Sequence, residues 1–280
     1  MRVEVVAESR KMEAKDVVTL PVRNPMPRVR QSEGHIVTES LNTSVEPFGI
    51  ADTRTCNISV SSVPDLQLEG RIRGLVGYPH GCTEQITSQG LAQVHLDKWM
   101  SLSPERKADT KAHITSSLNM LAKRQHPGGG FVYWPGQGHP NTWASSYVGH
   151  FLLYAKEAGF MLPPSMLNRY IQYERKRARN WSYDEAQPWD MFGQAYRLMV
   201  LAEHGEAEVG AMTRLRNLGF LDDQSAMLLA SAYADLGELE MARKLLQKKD
   251  PDVLGDMRYS WHSFGSGFRN RAMHLAAMHK

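Results

Sequence analysis

The stretch Tyr78-Pro79-His80-Gly81-Cys82-Thr83-Glu84-Gln85 decides how this chain is read. It sets a thiol three residues before a carboxamide, where a helical pattern begins. Residues three apart share one face of a helix. Gly81 permits a sharp backbone entry, and Pro79 biases the approach towards extended or turn conformations. Backbone N–H groups at a helix N-terminus favour sulfur as the thiolate. The expectation is an internal thioester joining the Cys82 sulfur to the Gln85 side-chain carbonyl. A thioester lacks amide resonance, so it is a stored acylating agent. The plainer alternative keeps Cys82 as a small buried hydrophobe and Gln85 as an ordinary first-turn residue.

Composition bounds the rest. The 280 residues are 42% hydrophobic and 22% charged, ordinary globular values. Length suggests one or two domains. A net charge of +3 does not argue for nucleic acid, and none is expected as a partner. The basic run Arg175-Lys176-Arg177-Ala178-Arg179 reads as a solvated helix end. Two cysteines exclude a disulfide framework. A Cys56–Cys82 bridge would consume the reactive thiol. No Cys-x-x-Cys or His-Glu-x-x-His spacing occurs, so neither a metal nor a cofactor is expected. No signal peptide is visible, and no apolar run reaches the ~20 residues of a membrane span.

Residues 1–63 have a β texture. Val3-Glu4-Val5-Val6 and Val17-Val18-Thr19-Leu20 are strand-like runs. Thr55-Cys56-Asn57-Ile58-Ser59-Val60-Ser61 alternates as a half-buried strand would, with Cys56, Ile58 and Val60 on one side. From Pro64 the period turns helical, with Leu66, Leu68, Ile72, Leu75 and Val76 leading into the Cys82 turn. Helices are predicted from about Thr83 to Leu102, and from an N-cap at Ser103-Pro104-Glu105 to before Pro127. The next runs from Asn141 to a Gly159 cap. Further starts fall at Pro163-Pro164-Ser165 and Gln187-Pro188. Shorter helices are predicted over Ala207–Leu218, Asp222–Leu236 and Leu239–Lys248, and one from about Phe268. Helices joined by short Pro- or Gly-marked turns imply an antiparallel array, either an open solenoid or a closed α/α toroid.

The octapeptide, followed by Ile86-Thr87-Ser88, closely resembles the thioester motif of the alpha-2-macroglobulin family in its bacterial branch. Gly129-Gly130-Phe131-Val132-Tyr133-Trp134-Pro135-Gly136, with Pro140-Asn141-Thr142-Trp143, Tyr147 and His150, resembles the Gly-Gly-Phe segment and following helix of that family's thioester domain. Val22-Arg23-Asn24-Pro25 resembles the strand region upstream of it. The resemblance implies a mainly α fold: an α/α toroid over residues 64–280, incomplete at its C-terminus. Residues 1–63 would be the first part of a CUB-type β segment, exposed and loosely held. It also implies a fragment of a longer exported chain, periplasmic or in the cell envelope, that acts with domains not present here.

Several residues are expected around the bond. Tyr78, Pro79, Gly81 and Glu84 support the motif, Glu84 by complementing the helix dipole. Aromatic walls exclude water, and Tyr133 and Trp134 are the candidates to shield the thioester, with Tyr78 and Phe131 behind them. His80 either polarises the thiol or is simply solvated. Complement relatives use a distant histidine that steers the bond to hydroxyl acceptors. No histidine lies between His150 and His204, and Tyr183 or Asp184 is expected to stand in that place. Amines should therefore attack directly.

The implied function is that of a thioester domain in a broad-spectrum endopeptidase inhibitor. Gln85 would acylate an amine of the attacking protease, once, without turnover. Two rivals stay open. One is an α/α-toroid enzyme: a glycosidase using Asp184, Glu185 and Asp190, or a cysteine hydrolase pairing Cys82 with His80, His126 or His150. The other is a non-reactive helical scaffold.

Overall fold

A computed structural model describes residues 1–21, 29–58, 60, 77, 79–99, 101–247 and 266–280. The Val22–Pro25 segment, the Leu66–Val76 lead-in, Tyr78 and Trp261 lie outside these residues. The chain divides into two compact units, Met1–Leu66 and Gln67–Lys280.

The first unit carries a hairpin. β1 (Arg2–Ser9) pairs antiparallel with β2 (Met12–Thr19) in a register that sets Ser9 opposite Met12 across Arg10-Lys11. The valines at 3, 5, 6, 17 and 18 supply the β-branched content that a pleated strand favours. Among the described residues the sheet has these two strands, and both lie almost wholly in solvent. The exposure expected of this segment is therefore present. The expected strand at Thr55–Ser61 is not seen among the described residues of that span: Thr55–Ile58 are irregular, and Ile58 and Val60 are 86% and 95% exposed. Alternation alone does not make a strand. A strand needs a partner ladder for its backbone groups and a face to bury, and the described residues give it neither.

The second unit is helical. α1 (Thr83–Val94) is followed across His95 by the short α2 (Leu96–Trp99), so the single helix expected to Leu102 is broken. α3 is Pro104–Ala122, α4 Thr142–Glu157, α5 Met166–Asn180 and α6 Asp190–Glu203. α7 is Val209–Arg216, α8 Asp223–Asp235, α9 Leu239–Leu246 and α10 Gly267–His279. Side chains start several of these helices. Ser103 Oγ accepts from Arg106 N at 3.3 Å, with Pro104 at the first helical position. Asn141 Oδ1 accepts from Ala144 N, and Asp222 Oδ1 from Ser225 N, both at 2.8 Å.

Alternate helices form one continuous layer: α1 packs on α4, α4 on α6, α6 on α8 and α8 on α10. The intervening helices lie against that layer, α3 on α1, α5 on α4 and α6, α7 on α6 and α9 on α8. This two-layer alternation is the mainly α, α/α-toroid arrangement expected from the sequence. Its core joins Ile86, Leu118, Phe151, Leu198 and Leu229, all buried.

The run at Arg175–Arg179 differs from the solvated end that charge alone suggests. Arg175 and Arg179 both grip Glu208 at the start of α7, with N–O distances of 2.6–2.8 Å. Arg177 lies over the Tyr173 ring instead.

Candidate functional site

Cys82 is the N-cap of α1, with extended backbone at φ −75° and ψ 172°. Gln85 stands at the third helical position. The two residues cap one another. Cys82 N–H donates to Gln85 Oε1 at 3.0 Å, and the Cys82 sulfur accepts the Gln85 backbone N–H. This is the reciprocal geometry of a capping box, with sulfur where serine or threonine usually stands. It holds the carboxamide and the thiol against each other on one helical turn. Both cysteines are free thiols here, Cys56 exposed and Cys82 buried at 4% exposure.

Gly81 enters the turn at φ +97°, a left-handed conformation that disfavours any residue with a Cβ. The turn also has no room for one: a Cβ at position 81 would stand 2.9 Å from Gln85 Cδ. Pro79 beside it is buried, while His80 is exposed and donates its backbone N–H to Gln89 Oε1 at 3.2 Å.

The two quoted motifs meet at Thr83. Its backbone N–H donates to the Tyr133 carbonyl at 3.0 Å, and its hydroxyl donates to the Val132 carbonyl at 2.6 Å. Two glycines let the Gly129–Trp134 loop reach that position. A side chain at Gly129 would run into the Arg169 carbonyl, and one at Gly130 would stand 2.5 Å from the Tyr173 ring. Phe131 is fully buried, its N–H held by Ser145 Oγ at 2.8 Å.

Tyr133 lies near the thiol. Burial holds its phenol well above the ordinary pKa, reinforced by nearby Cys82 and Glu84. Trp134 meets Tyr133 edge-on at 6.2 Å and is 47% exposed, so it backs Tyr133 from the solvent side. Glu84 accepts from Ser88 Oγ at 2.6 Å, one turn along α1. Gln85 is exposed as a whole. Cys82 is thus the buried partner and Gln85 the exposed one, with its Oε1 held on the Cys82 N–H.

Tyr183 and Asp184 sit in the loop between α5 and α6. Tyr183 packs edge-on against Phe220 at 5.0 Å, and Asp184 accepts from Ala186 N and Gln187 Nε2 within its own turn. Asp190 accepts from Trp181 Nε1 at 2.8 Å. These carboxylates tie down the loop rather than face one another across a cleft. His126 Nδ1 accepts from Gly128 N, and His150 Nδ1 meets Tyr196 OH at 2.9 Å. Both imidazoles are engaged away from Cys82. Among the described residues no group of three or more His, Cys, Asp or Glu is arranged to hold a metal, and no helix is long and apolar enough to cross a membrane.

Two residues at the site escaped the sequence reading, Thr83 and Arg124. Arg124 follows the C-terminus of α3 and is 7% exposed. Its guanidinium donates to the Gly81 carbonyl at 2.7 Å and to Thr83 Oγ1 at 3.3 Å. It lies more than forty residues from the turn it holds, so no local spacing announces it.

No model of a known protein family matches the chain. Alpha-2-macroglobulin of Xylella fastidiosa (strain Temecula1 / ATCC 700964) is 25% identical over 227 residues, covering 76% of this chain and 14% of the relative. Alpha-2-macroglobulin of Escherichia coli (strain K12) is 25% identical over 240 residues, with 78% and 14% covered. That of Rickettsia conorii is 27% identical over 246 residues, with 82% and 13% covered. The chain therefore spans about one seventh of the length of these relatives. Among solved structures, Salmonella alpha-2-macroglobulin reacted with methylamine superposes with a TM-score of 0.66 at 23% identity, over 77% of this chain and 15% of that one. Native Escherichia coli alpha-2-macroglobulin, from domain MG7 to the C-terminus, gives 0.64 at 22% identity over 77% and 36%. The trypsin-activated Escherichia coli protein gives 0.60 at 22% identity over 73% and 15%. In sequence over most of its length, and in fold, this chain is similar to the bacterial alpha-2-macroglobulins.

Proposed function

We propose that this chain is the thioester-bearing part of an alpha-2-macroglobulin-like endopeptidase inhibitor, and that Cys82 and Gln85 form the reactive bond. The observation that carries the reading is the mutual capping of these two residues around a buried sulfur. It brings nucleophile and acyl carbon onto one turn, the arrangement from which an intramolecular acyl transfer gains most. Sγ attacks Gln85 Cδ, the side-chain nitrogen leaves as ammonia, and an Sγ–Cδ bond replaces the C–N bond. When an amine attacks Cδ, an amide forms, the Sγ–Cδ bond breaks, and Cys82 takes up the proton as a free thiol. The cycle runs once, so the chain is a suicide acyl donor rather than an enzyme. The exposed Gln85 gives an amine its approach, and Tyr133, near the thiol, shields the buried Cys82.

The acceptors are lysine amines of attacking proteases. Related structures support that class, since they include alpha-2-macroglobulins reacted with methylamine or activated by trypsin or elastase. Tyr183 or Asp184 would stand in the place of an acceptor-selecting histidine, which favours amines over hydroxyls. The β hairpin unit is the first part of a CUB-type segment, and the helical unit is the thioester domain. Both work within a longer exported protein, periplasmic or in the cell envelope, alongside the domains that its relatives carry.

Intact mass tests the chemistry. The untreated protein should lack one ammonia, and methylamine should add at Gln85 while one thiol becomes titratable at Cys82. A mass equal to the full sequence, with no methylamine adduct, would remove the thioester from the account. A strong preference for glycerol over methylamine would overturn the amine selectivity.

A further inference from the structure

Among the described residues the helical unit contains two buried arginines that are treated differently. Arg197, 1% exposed, is neutralised by Glu174 at 2.7 Å. Arg124, 7% exposed, has no carboxylate within ion-pair distance among the described residues. Its bonds go to the Gly81 carbonyl and the Thr83 hydroxyl, both neutral. An arginine stays protonated at any ordinary pH. Burying such a charge without an anion is costly, and the cost falls here on the two residues that bracket Cys82 in sequence.

Resting on the thioester reading, we propose that Arg124 is the positioning residue of the thioester turn and the cation that awaits the departing sulfur. Its two bonds fix the residues on either side of Cys82 while the bond is closed. When an amine attacks Gln85 Cδ and the Sγ–Cδ bond breaks, the electron pair stays on sulfur. The charge that develops there meets a fixed, partly dehydrated guanidinium, a preorganised arrangement worth far more than the same pair in water. The absence of a carboxylate among the described residues then has a reason: a resident anion would spend the cation before the sulfur needs it. The electrostatics agree in direction. Burial lowers the Arg124 pKa, and the nearby Cys82 is what opposes that.

Three substitutions in the 280-residue protein separate the roles. Arg124→Lys keeps the charge, Arg124→Gln keeps a donor for the Gly81 carbonyl without charge, and Arg124→Met keeps neither. The fraction of closed bond is read from intact mass. The rate of methylamine-driven thiol release is read per closed bond, which removes any contribution from misfolded molecules. Arg124→Gln should keep most of the closed fraction yet release thiol at least tenfold more slowly. Arg124→Lys should recover most of the rate, and Arg124→Met should lose both. Recovery of the release rate by Arg124→Lys and not by Arg124→Gln is a pattern that loss of packing alone would not produce. Equal release rates per closed bond in wild type and Arg124→Gln would overturn the proposal while leaving the thioester intact. A wild type that neither loses ammonia nor takes methylamine would overturn both.

Discussion

The Thr83 hydroxyl donates a 2.6 Å hydrogen bond to the carbonyl of Val132, 49 residues further along the chain. Through that bond the first turn of α1 and the loop after α3 become one structure. Replacing Thr83 by valine keeps the shape and removes the donor. The Val132 carbonyl is then buried without its partner, at a cost of roughly 1–3 kcal/mol. Thermal unfolding should show a lower midpoint, and methylamine uptake should fall with it. A valine variant as stable as wild type would mean that the two motifs are held together by other contacts.

Gly81→Ala attacks the turn itself. Alanine in the left-handed region costs about 1–2 kcal/mol, and the new Cβ stands 2.9 Å from Gln85 Cδ. The carboxamide must swing away from the sulfur. The expected product folds but retains its full complement of ammonia, as intact mass would reveal. Normal methylamine incorporation by this variant would contradict the turn geometry.

Arg197→Met tests the buried pair at the centre of the helical unit. Glu174 is fully buried, and Arg197 answers its charge at 2.7 Å. Breaking such a pair typically costs about 3–5 kcal/mol, because one charge is left alone. Burial already pushes the Glu174 carboxyl above its ordinary pKa, so in the variant Glu174 should take up a proton on folding. The loss should therefore be largest at neutral pH and smaller in acid. Denaturant titration at pH 5 and pH 8 measures the difference, and the pair Arg197→Met with Glu174→Leu should recover much of it.

Glu208→Gln unties α7 from α5. The bond from Arg179 holds the Glu208 carboxyl below its usual pKa, with Arg175 adding to it and burial opposing. A carboxyl lowered on folding contributes stability that is present above its unfolded value of 4.5 and is lost as pH falls through the folded value. The two arginines are partly exposed, which limits the loss to roughly 1–2 kcal/mol at neutral pH. Melting curves of wild type and variant should be well separated at pH 7 and converge below pH 4.5. A gap that does not change with pH would sink the electrostatic account.

Local chemistry was legible without coordinates. The interval from Cys82 to Gln85 is one helical turn, so their meeting needs nothing beyond that turn and a glycine before it. Ser103-Pro104 and Asn141 announced helix starts because a cap acts on backbone three residues away. The valine runs at 3–6 and 17–18 found their hairpin because the two strands are joined by two residues. Strand alternation at Cys56, Ile58 and Val60 misled, since a strand is completed by its neighbour and not by its own pattern.

The amino-acid order thus determined the helical array, the hairpin and the meeting of Cys82 with Gln85, all products of forces that act over a few residues. Tertiary structure alone decided which charges meet. It set Arg124 on the Cys82 turn with no carboxylate at ion-pair distance among the described residues, gave Glu174 to Arg197, and turned Arg175 and Arg179 onto Glu208. It also left Gln85 exposed while Cys82 is buried. Burial depends on which distant segments arrive, and an isolated stretch of sequence carries no record of its eventual neighbours.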